Sequence, residues 1–155
     1  MYTQYLSPLG MLLLCSDGQA LTGLWLSGNT ADTIGMERRD DLPLFASVTG
    51  WLDDYFAGKP REVDFPLDPE GTAFQKRVWG LLQSIPYGAT TTYGAIAKFI
   101  SPQMSAQAVG QAVGKNPIGI VIPCHRVVGA KGQLTGYAGG IEKKKWLLRH
   151  EEERK

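Results

Sequence analysis

The chain has 155 residues, 43% hydrophobic and 20% charged, enough for one large domain or two small ones with a real core. No apolar run approaches the roughly 18 residues needed to span a bilayer, and Met1-Tyr2-Thr3-Gln4 has no basic stretch before an apolar one, so neither a membrane span nor a secretory signal is expected. Two cysteines and two histidines make neither a disulfide framework nor a four-ligand zinc site, which implies a reduced, cytoplasmic setting and no cofactor. The net charge of +1 conceals a division. Residues 1–70 hold four Lys/Arg against eleven Asp/Glu, a net −7, whereas residues 71–150 hold ten Lys/Arg against Glu142 alone, a net +9. A basic half-chain of that size is the electrostatic footprint of a polyanion binder such as nucleic acid.

In chain order, residues 2–27 read as an antiparallel meander: Tyr2 to Ser7, a Ser7-Pro8-Leu9-Gly10 turn, Met11 to Cys15, an Asp17-Gly18 hairpin signal, then Ala20 to Leu26. Cys15 falls in the apolar stretch and is expected in the core. Residues 28–41 are polar and read as a surface loop. From Leu44, the positions Leu44, Val48, Trp51, Leu52 and Tyr55 recur at helical spacing, with Gly58 as the stop and Pro60 beyond it. Arg61 to Gly71, with Pro66 and Pro69, is expected to link two domains, 1–70 and 71–155.

Thr72 and Gln75 form a capping-box pattern opening a helix that buries Phe74, Val78, Leu81 and Leu82. Thr90-Thr91-Thr92 can cap a short helix, Tyr93 to Ile100, stopped by Ser101-Pro102, and a second short helix follows from Ser105 to Gly114. Two short helices on a tight turn in a basic region have the form of a helix-turn-helix. The second is unusual in composition. Ala106, Ala108, Gly110 and Gly114 leave it nearly bare, although each glycine costs roughly 1 kcal/mol in helix propensity. A bare helix can pack tightly in a core, or it can approach a narrow groove, with Gln107 as the long side chain entering a duplex.

Lys115-Asn116-Pro117 turns into the apolar run Ile118 to Ile122, which reads as a buried strand, and Pro123-Cys124-His125-Arg126-Val127 follows where it leaves the core. A thiol of unperturbed pKa about 8.5 becomes a good nucleophile as thiolate, which nearby cations or proton acceptors favour. Five glycines and Tyr137 then fill the loop from Val127 to Gly140. The final helix, from about Ile141, is expected to turn Trp146, Leu147 and Leu148 inward and Lys143, Lys144 and Lys145 outward. His150 reads as a surface residue, and residues 151–155 as a frayed end.

These residues resemble the O6-alkylguanine-DNA alkyltransferases, also called methylated-DNA–protein-cysteine methyltransferases. The resemblance rests on Asn116-Pro117, Ile122-Pro123-Cys124-His125-Arg126-Val127-Val128, Gly136-Tyr137-Ala138-Gly139-Gly140 and Trp146-Leu147-Leu148-Arg149-His150-Glu151, and runs from about Phe74 to Glu151. It implies a ribonuclease H-like α/β N-terminal domain, a small antiparallel sheet with a helix. A mainly α C-terminal domain with a winged-helix-like helix-turn-helix would follow. It implies transfer of an alkyl group from O6 of guanine, or O4 of thymine, to Cys124, once per molecule and without reversal. The partner would be double-stranded DNA held through its minor groove, the damaged base flipped into a pocket, by a monomer able to load cooperatively. By the same resemblance His125 acts as base through a water, Glu151 orients it and Asn116 braces the preceding turn. Tyr93 holds the guanine, Tyr137 walls the pocket, the Ala138 amide meets O6, and Arg126, Val127 and Gly139 also contact substrate or DNA.

One position departs from the family pattern. Gln107 stands where an arginine usually fills the gap left by the flipped base, and glutamine is uncharged and stacks less well. A sensor that binds alkylguanine without reacting remains the second reading, although such relatives lack the acceptor cysteine. A cysteine hydrolase is the third. Neighbouring side chains on an extended strand point apart, which disfavours direct Cys124–His125 contact.

Overall fold

The N-terminal apolar segments pair as a three-stranded antiparallel meander of β1 (Tyr2–Ser7), β2 (Gly10–Ser16) and β3 (Leu21–Trp25). The computed structural model describes residues 1–27, 33–134, 137 and 140–155, which separate into two units, Met1–Glu70 and Gly71–Lys155. In the first, Tyr5 pairs with Leu12, and Leu14 with both Thr3 and Leu24. Because side chains alternate across a strand, Leu12, Leu14 and Leu24 share one face, and all three are buried. The hairpin turns need Gly10 and Gly18, at φ 98° and 99°. The Asp17 carboxylate accepts hydrogen bonds from the Gln19 and Ala20 amides to close the second.

Helix α1 (Pro43–Phe56) begins with proline in its first turn, where no N–H is needed, and buries Phe45, Val48, Trp51, Leu52 and Tyr55. The Tyr5 hydroxyl donates to Asp53 at 2.5 Å, and the Tyr5 ring stacks on Phe56, which seats the helix against β1. The expected linker is not a free one. Pro66 and Asp68 pair with both backbone groups of Leu21, each at 2.9 Å, Phe65 is buried, and the Trp51 indole donates to the Arg61 carbonyl. The edge of β3 has backbone groups that must find partners, and this segment supplies them. Cys15, expected in the core, is only half-buried.

The second unit is helical. Helix α2 (Ala73–Leu82) opens on a complete capping box: the Thr72 hydroxyl accepts from the Gln75 amide at 3.1 Å and Gln75 Oε1 accepts from the Thr72 amide at 2.9 Å. Its buried residues are Val78, Trp79 and Leu82, and the Trp79 indole donates to the Ala112 carbonyl at 2.8 Å. Helices α3 (Tyr93–Ile100) and α4 (Ala106–Gly114) form the helix-turn-helix, N-capped by Thr92 and Ser105. Strands β4 (Thr91–Thr92) and β5 (Val127–Val128) make a two-residue parallel ladder. Helix α5 (Ile141–Glu153) closes the unit. Among the described residues, no helix is long and apolar enough to cross a membrane.

Three sequence expectations are overturned here. The run Ile118 to Ile122 is buried but is not a strand. It coils back on itself, with the Ile122 amide on the Ile118 carbonyl at 3.1 Å and Ile120 at φ +66°. Helix α5 keeps Lys144 and His150 inside, 1% and 3% exposed, because both fall on the stripe that carries Leu147. Glu151 is also 1% exposed within that helix, so it does not fray.

Gly80 offers a check on α2. It is exposed, and a Cβ built there meets nothing within 4 Å. Gly80→Ala is expected to raise stability by about 0.5–1 kcal/mol through helix propensity alone, read as a higher urea midpoint at unchanged slope.

Candidate active site

Cys124 opens a single 3₁₀ turn, Cys124–Arg126, and its own amide donates to the Ile122 carbonyl at 2.7 Å. The irregular loop before it is held by one side chain. Asn116, 6% exposed, donates through Nδ2 to the Ile118 and Ile122 carbonyls at 3.2 and 2.9 Å, and its Oδ1 accepts from the Ile118 amide at 3.0 Å. A β-branched residue at positive φ, as Ile120 is, costs of order 1–3 kcal/mol and persists only where its surroundings over-determine it. The three Asn116 bonds and the burial of the whole run do so here.

From the 3₁₀ turn, His125 and Arg126 both reach Glu151 on α5. His125 Nε2 lies 2.6 Å from Oε2, Arg126 donates to both carboxylate oxygens at 2.8 and 3.1 Å, and the Gly88 amide donates to Oε1 at 3.1 Å. Gly88 sits at φ +79°, a conformation that favours glycine. Burial alone would raise the Glu151 carboxyl, but the hydrogen bonds and charge of its partners outweigh it and hold the group well below the usual carboxylate range. Arg126 is the permanent charge among them. Burial, opposed by the Glu151 carboxylate, lowers His125 below its ordinary value. The imidazole is therefore neutral, with its proton on Nε2 facing the carboxylate. That leaves the lone pair on Nδ1, which is buried and has no hydrogen-bond partner among the described residues.

Beyond the thiol, Lys144 donates to the Val127 carbonyl at 2.6 Å, and its ammonium stands 5.9 Å from the centre of the Tyr93 ring and 6.0 Å from that of Tyr137. Burial raises the Cys124 thiol above its ordinary value, and the Asn116 side chain and the Lys144 charge offset this only in part. The resting acceptor is thus a protonated thiol, where the neighbouring cations had suggested a lowered one. Tyr137 is likewise raised by burial, and its hydroxyl has no hydrogen-bond partner among the described residues.

Helix α4 carries its small residues outward. At 100° per residue, Val109, Ala112 and Val113 form the buried arc. Ala106 and Gln107 are exposed, and Ala108, Gly110 and Gly114 are half-exposed. A Cβ on Gly110 would sit 3.7 Å from the Tyr93 ring, an ordinary contact, so interior packing does not demand a glycine there. Gln111, which the sequence does not single out beside Gln107, is exposed on the same face.

The C-terminal unit matches the family model described as the 6-O-methylguanine DNA methyltransferase DNA-binding domain, over residues 73–153, and residues 1–69 match the ribonuclease-like domain of the same family. A methylated-DNA–protein-cysteine methyltransferase of Mycobacterium bovis is 47% identical over 148 residues, covering 96% of this chain and 90% of that protein. One from Methanosarcina acetivorans is 43% identical, covering 97% of both. The chain belongs to the 6-O-methylguanine DNA methyltransferase family. Among solved structures, Mycobacterium tuberculosis O6-methylguanine methyltransferase superposes with a TM-score of 0.88 at 46% identity. The OGT of that organism in complex with DNA superposes with 0.85 at 45%, each covering 99% of this chain and 93% of the other.

Two of the residues expected to contact substrate or DNA have partners inside the protein. Arg126, expected to meet substrate or DNA, is 9% exposed and spends its guanidinium on Glu151 and the Ile85 carbonyl, because an ionised buried carboxylate needs a cation. Val127 is fully buried, with its carbonyl taken by Lys144. Ala138 and Gly139 lie outside the described residues. Lys144 was missed because a triple lysine reads as a solvated face. Its spacing of three from Leu147 and seven from Glu151 on one helix was the available signal.

The Glu151 cluster makes stability depend on acid. His125 and Glu151 both have lowered folded values, so each contributes in full above its unfolded pKa, about 6.5 and about 4.3, and loses that contribution as pH falls. Glu151→Gln is expected to destabilise by about 3–5 kcal/mol at pH 7 by leaving Arg126 without its counter-charge. In urea unfolding from pH 7 to pH 3, the gap to wild type should narrow below about pH 5.

Proposed function

We propose that this chain repairs alkylated DNA by moving the alkyl group from O6 of guanine, or O4 of thymine, to Cys124 in one irreversible turnover. The observation that carries the reading is His125. Its Nε2 is fixed on Glu151 at 2.6 Å, while its Nδ1 keeps a buried, unshared lone pair one residue from the only thiol of the unit. A water between Nδ1 and Sγ gives both a partner and carries the thiol proton to the imidazole. Sulfur attacks the alkyl carbon in line, the carbon–O6 bond breaks, and its electron pair leaves with guanine. The proton passed to His125 ends on the guanine, so charge and atoms balance. Glu151 stabilises the imidazolium formed in between, in the manner of Cys–His–acid systems.

The other residues bind and position. Lys144 bears its charge on the developing thiolate, and Tyr93 and Tyr137, whose ring centres lie 5.9 and 6.0 Å from its ammonium, contact the base. The unpaired Tyr137 hydroxyl gives the pocket a polar wall for a heteroatom-rich ligand. The bare face of α4 seats in the minor groove of double-stranded DNA, Gln107 enters the space left by the flipped nucleotide, and the +9 half-chain holds the phosphates. The protein acts as a monomer able to load cooperatively, in the reduced cytoplasm that a free thiol requires. A hydrolase reading loses ground, since the His125 nitrogen nearer in role to a base makes no hydrogen bond to Cys124.

Intact-mass measurement after incubation with an O6-methylguanine duplex should show a gain of one methyl group, absent in Cys124→Ser. Tight lesion binding with no gain would favour the sensor. Lys144→Met keeps the buried stem and removes the charge. It is expected to slow methylation at pH 7 about tenfold and to move the pH–rate profile upward, because the Lys144 charge favours the thiolate over the thiol. Gln107→Arg should speed single-turnover repair of duplex severalfold, since the guanidinium stacks better on bases; equal rates would show that Gln107 costs nothing.

A further inference from the structure

Resting on that reading, we infer that Gln111 is a second duplex-anchoring side chain, one helical turn beyond Gln107, and that it supplies the grip on the minor groove that a neutral Gln107 lacks. On α4 the buried residues Val109, Ala112 and Val113 define one side of the helix. At 100° per residue, the middle of the opposite arc is occupied by Gly114, Gln107 and Gln111, with Gly110 and Ala106 on one flank and Lys115 and Ala108 on the other. Any surface that α4 approaches through its small residues must therefore meet Gln107 and Gln111 together. Both are exposed, and neither carboxamide makes a hydrogen bond among the described residues. Their Cα atoms are about 6 Å apart along the axis, close to two base-pair steps of about 3.4 Å each.

The chemistry suits the minor groove. That groove offers acceptors at adenine N3 and thymine O2 and a donor at guanine N2. A carboxamide carries both a donor and an acceptor, so Gln111 can engage either pair type next to the lesion. It binds with different strength to each, which gives repair a dependence on flanking sequence. Because the group is neutral it displaces no counterion, so its contribution leaves no mark on the salt dependence of binding.

The test compares Gln111→Met, which keeps length and helix propensity while removing hydrogen bonding, with wild type on two substrates. On an O6-methylguanine duplex, the apparent affinity in single-turnover methylation of Cys124 should fall about fivefold, the size of one neutral hydrogen bond. On free O6-methylguanine, which needs no groove, the rate should not change. The slope of log affinity against log salt should stay constant, and the spread of affinity among A·T and G·C flanking pairs should narrow. Unchanged duplex affinity, or an equal loss on duplex and free base, would overturn the assignment. Failure of wild type to methylate Cys124 on either substrate would instead sink the repair reading itself. Gln111→Ala serves as the second variant, and the same pattern is expected from it.

Discussion

Everything in the C-terminal unit converges on one buried carboxylate. Glu151 receives His125, the Nε and Nη2 groups of Arg126 and the Gly88 amide. An ionised carboxylate at 1% exposure is tolerable only if its lone pairs are filled and its charge is balanced. The arrangement meets both conditions and in doing so joins three pieces of chain: the turn after α2, the 3₁₀ turn at Cys124, and α5. The Arg126 side chain extends the tie to the Ile85 carbonyl and lies 5.7 Å from the centre of the Tyr87 ring. The orientation of the one imidazole near the thiol thus depends on an ion pair that also holds the unit's framework together.

This dual use explains why Arg126 faces inward. A base oriented by a lone carboxylate would compete for the proton. With a permanent cation on the same carboxylate, Glu151 stays charged, and the imidazole remains neutral with a defined tautomer. The Pro123-Cys124-His125-Arg126 string therefore contains a thiol, an imidazole and the residue that keeps the imidazole's partner ionised, all within one short turn. The 3₁₀ geometry fits this better than an extended strand, because His125 and Arg126 can then both address α5.

What could be read from the sequence was what local chemistry decides. The capping residues Thr72, Thr92 and Ser105, the stop at Gly58, and the turns at Gly10 and Gly18 act within a few residues, so their signals survive without knowledge of the fold. Cys124 and His125 also stood out, from residue type and neighbourhood. The errors share another cause. Ile118 to Ile122 has strand composition, yet it coils because Asn116, outside the run, captures two of its carbonyls and an amide. Lys144 and Arg126 look like surface charges until a carbonyl and a carboxylate from distant segments claim them. The segment 65–68 looks like a linker until the free edge of β3 needs partners. Each case turns on long-range satisfaction of a buried polar group, which no window of sequence contains.

The burial of Cys124 sets the character of the site. An exposed, preformed thiolate would react with oxidants and stray electrophiles, and a protein that can be used only once has no means of recovering from such a loss. At 8% exposure the resting thiol is kept protonated by desolvation. In the proposed reaction its activation rests on the unshared Nδ1 of His125 and on the Lys144 charge. In that reaction the burial that makes Cys124 a poor nucleophile at rest would also favour it once a base is bound, because excluded solvent no longer screens the Lys144–sulfur attraction.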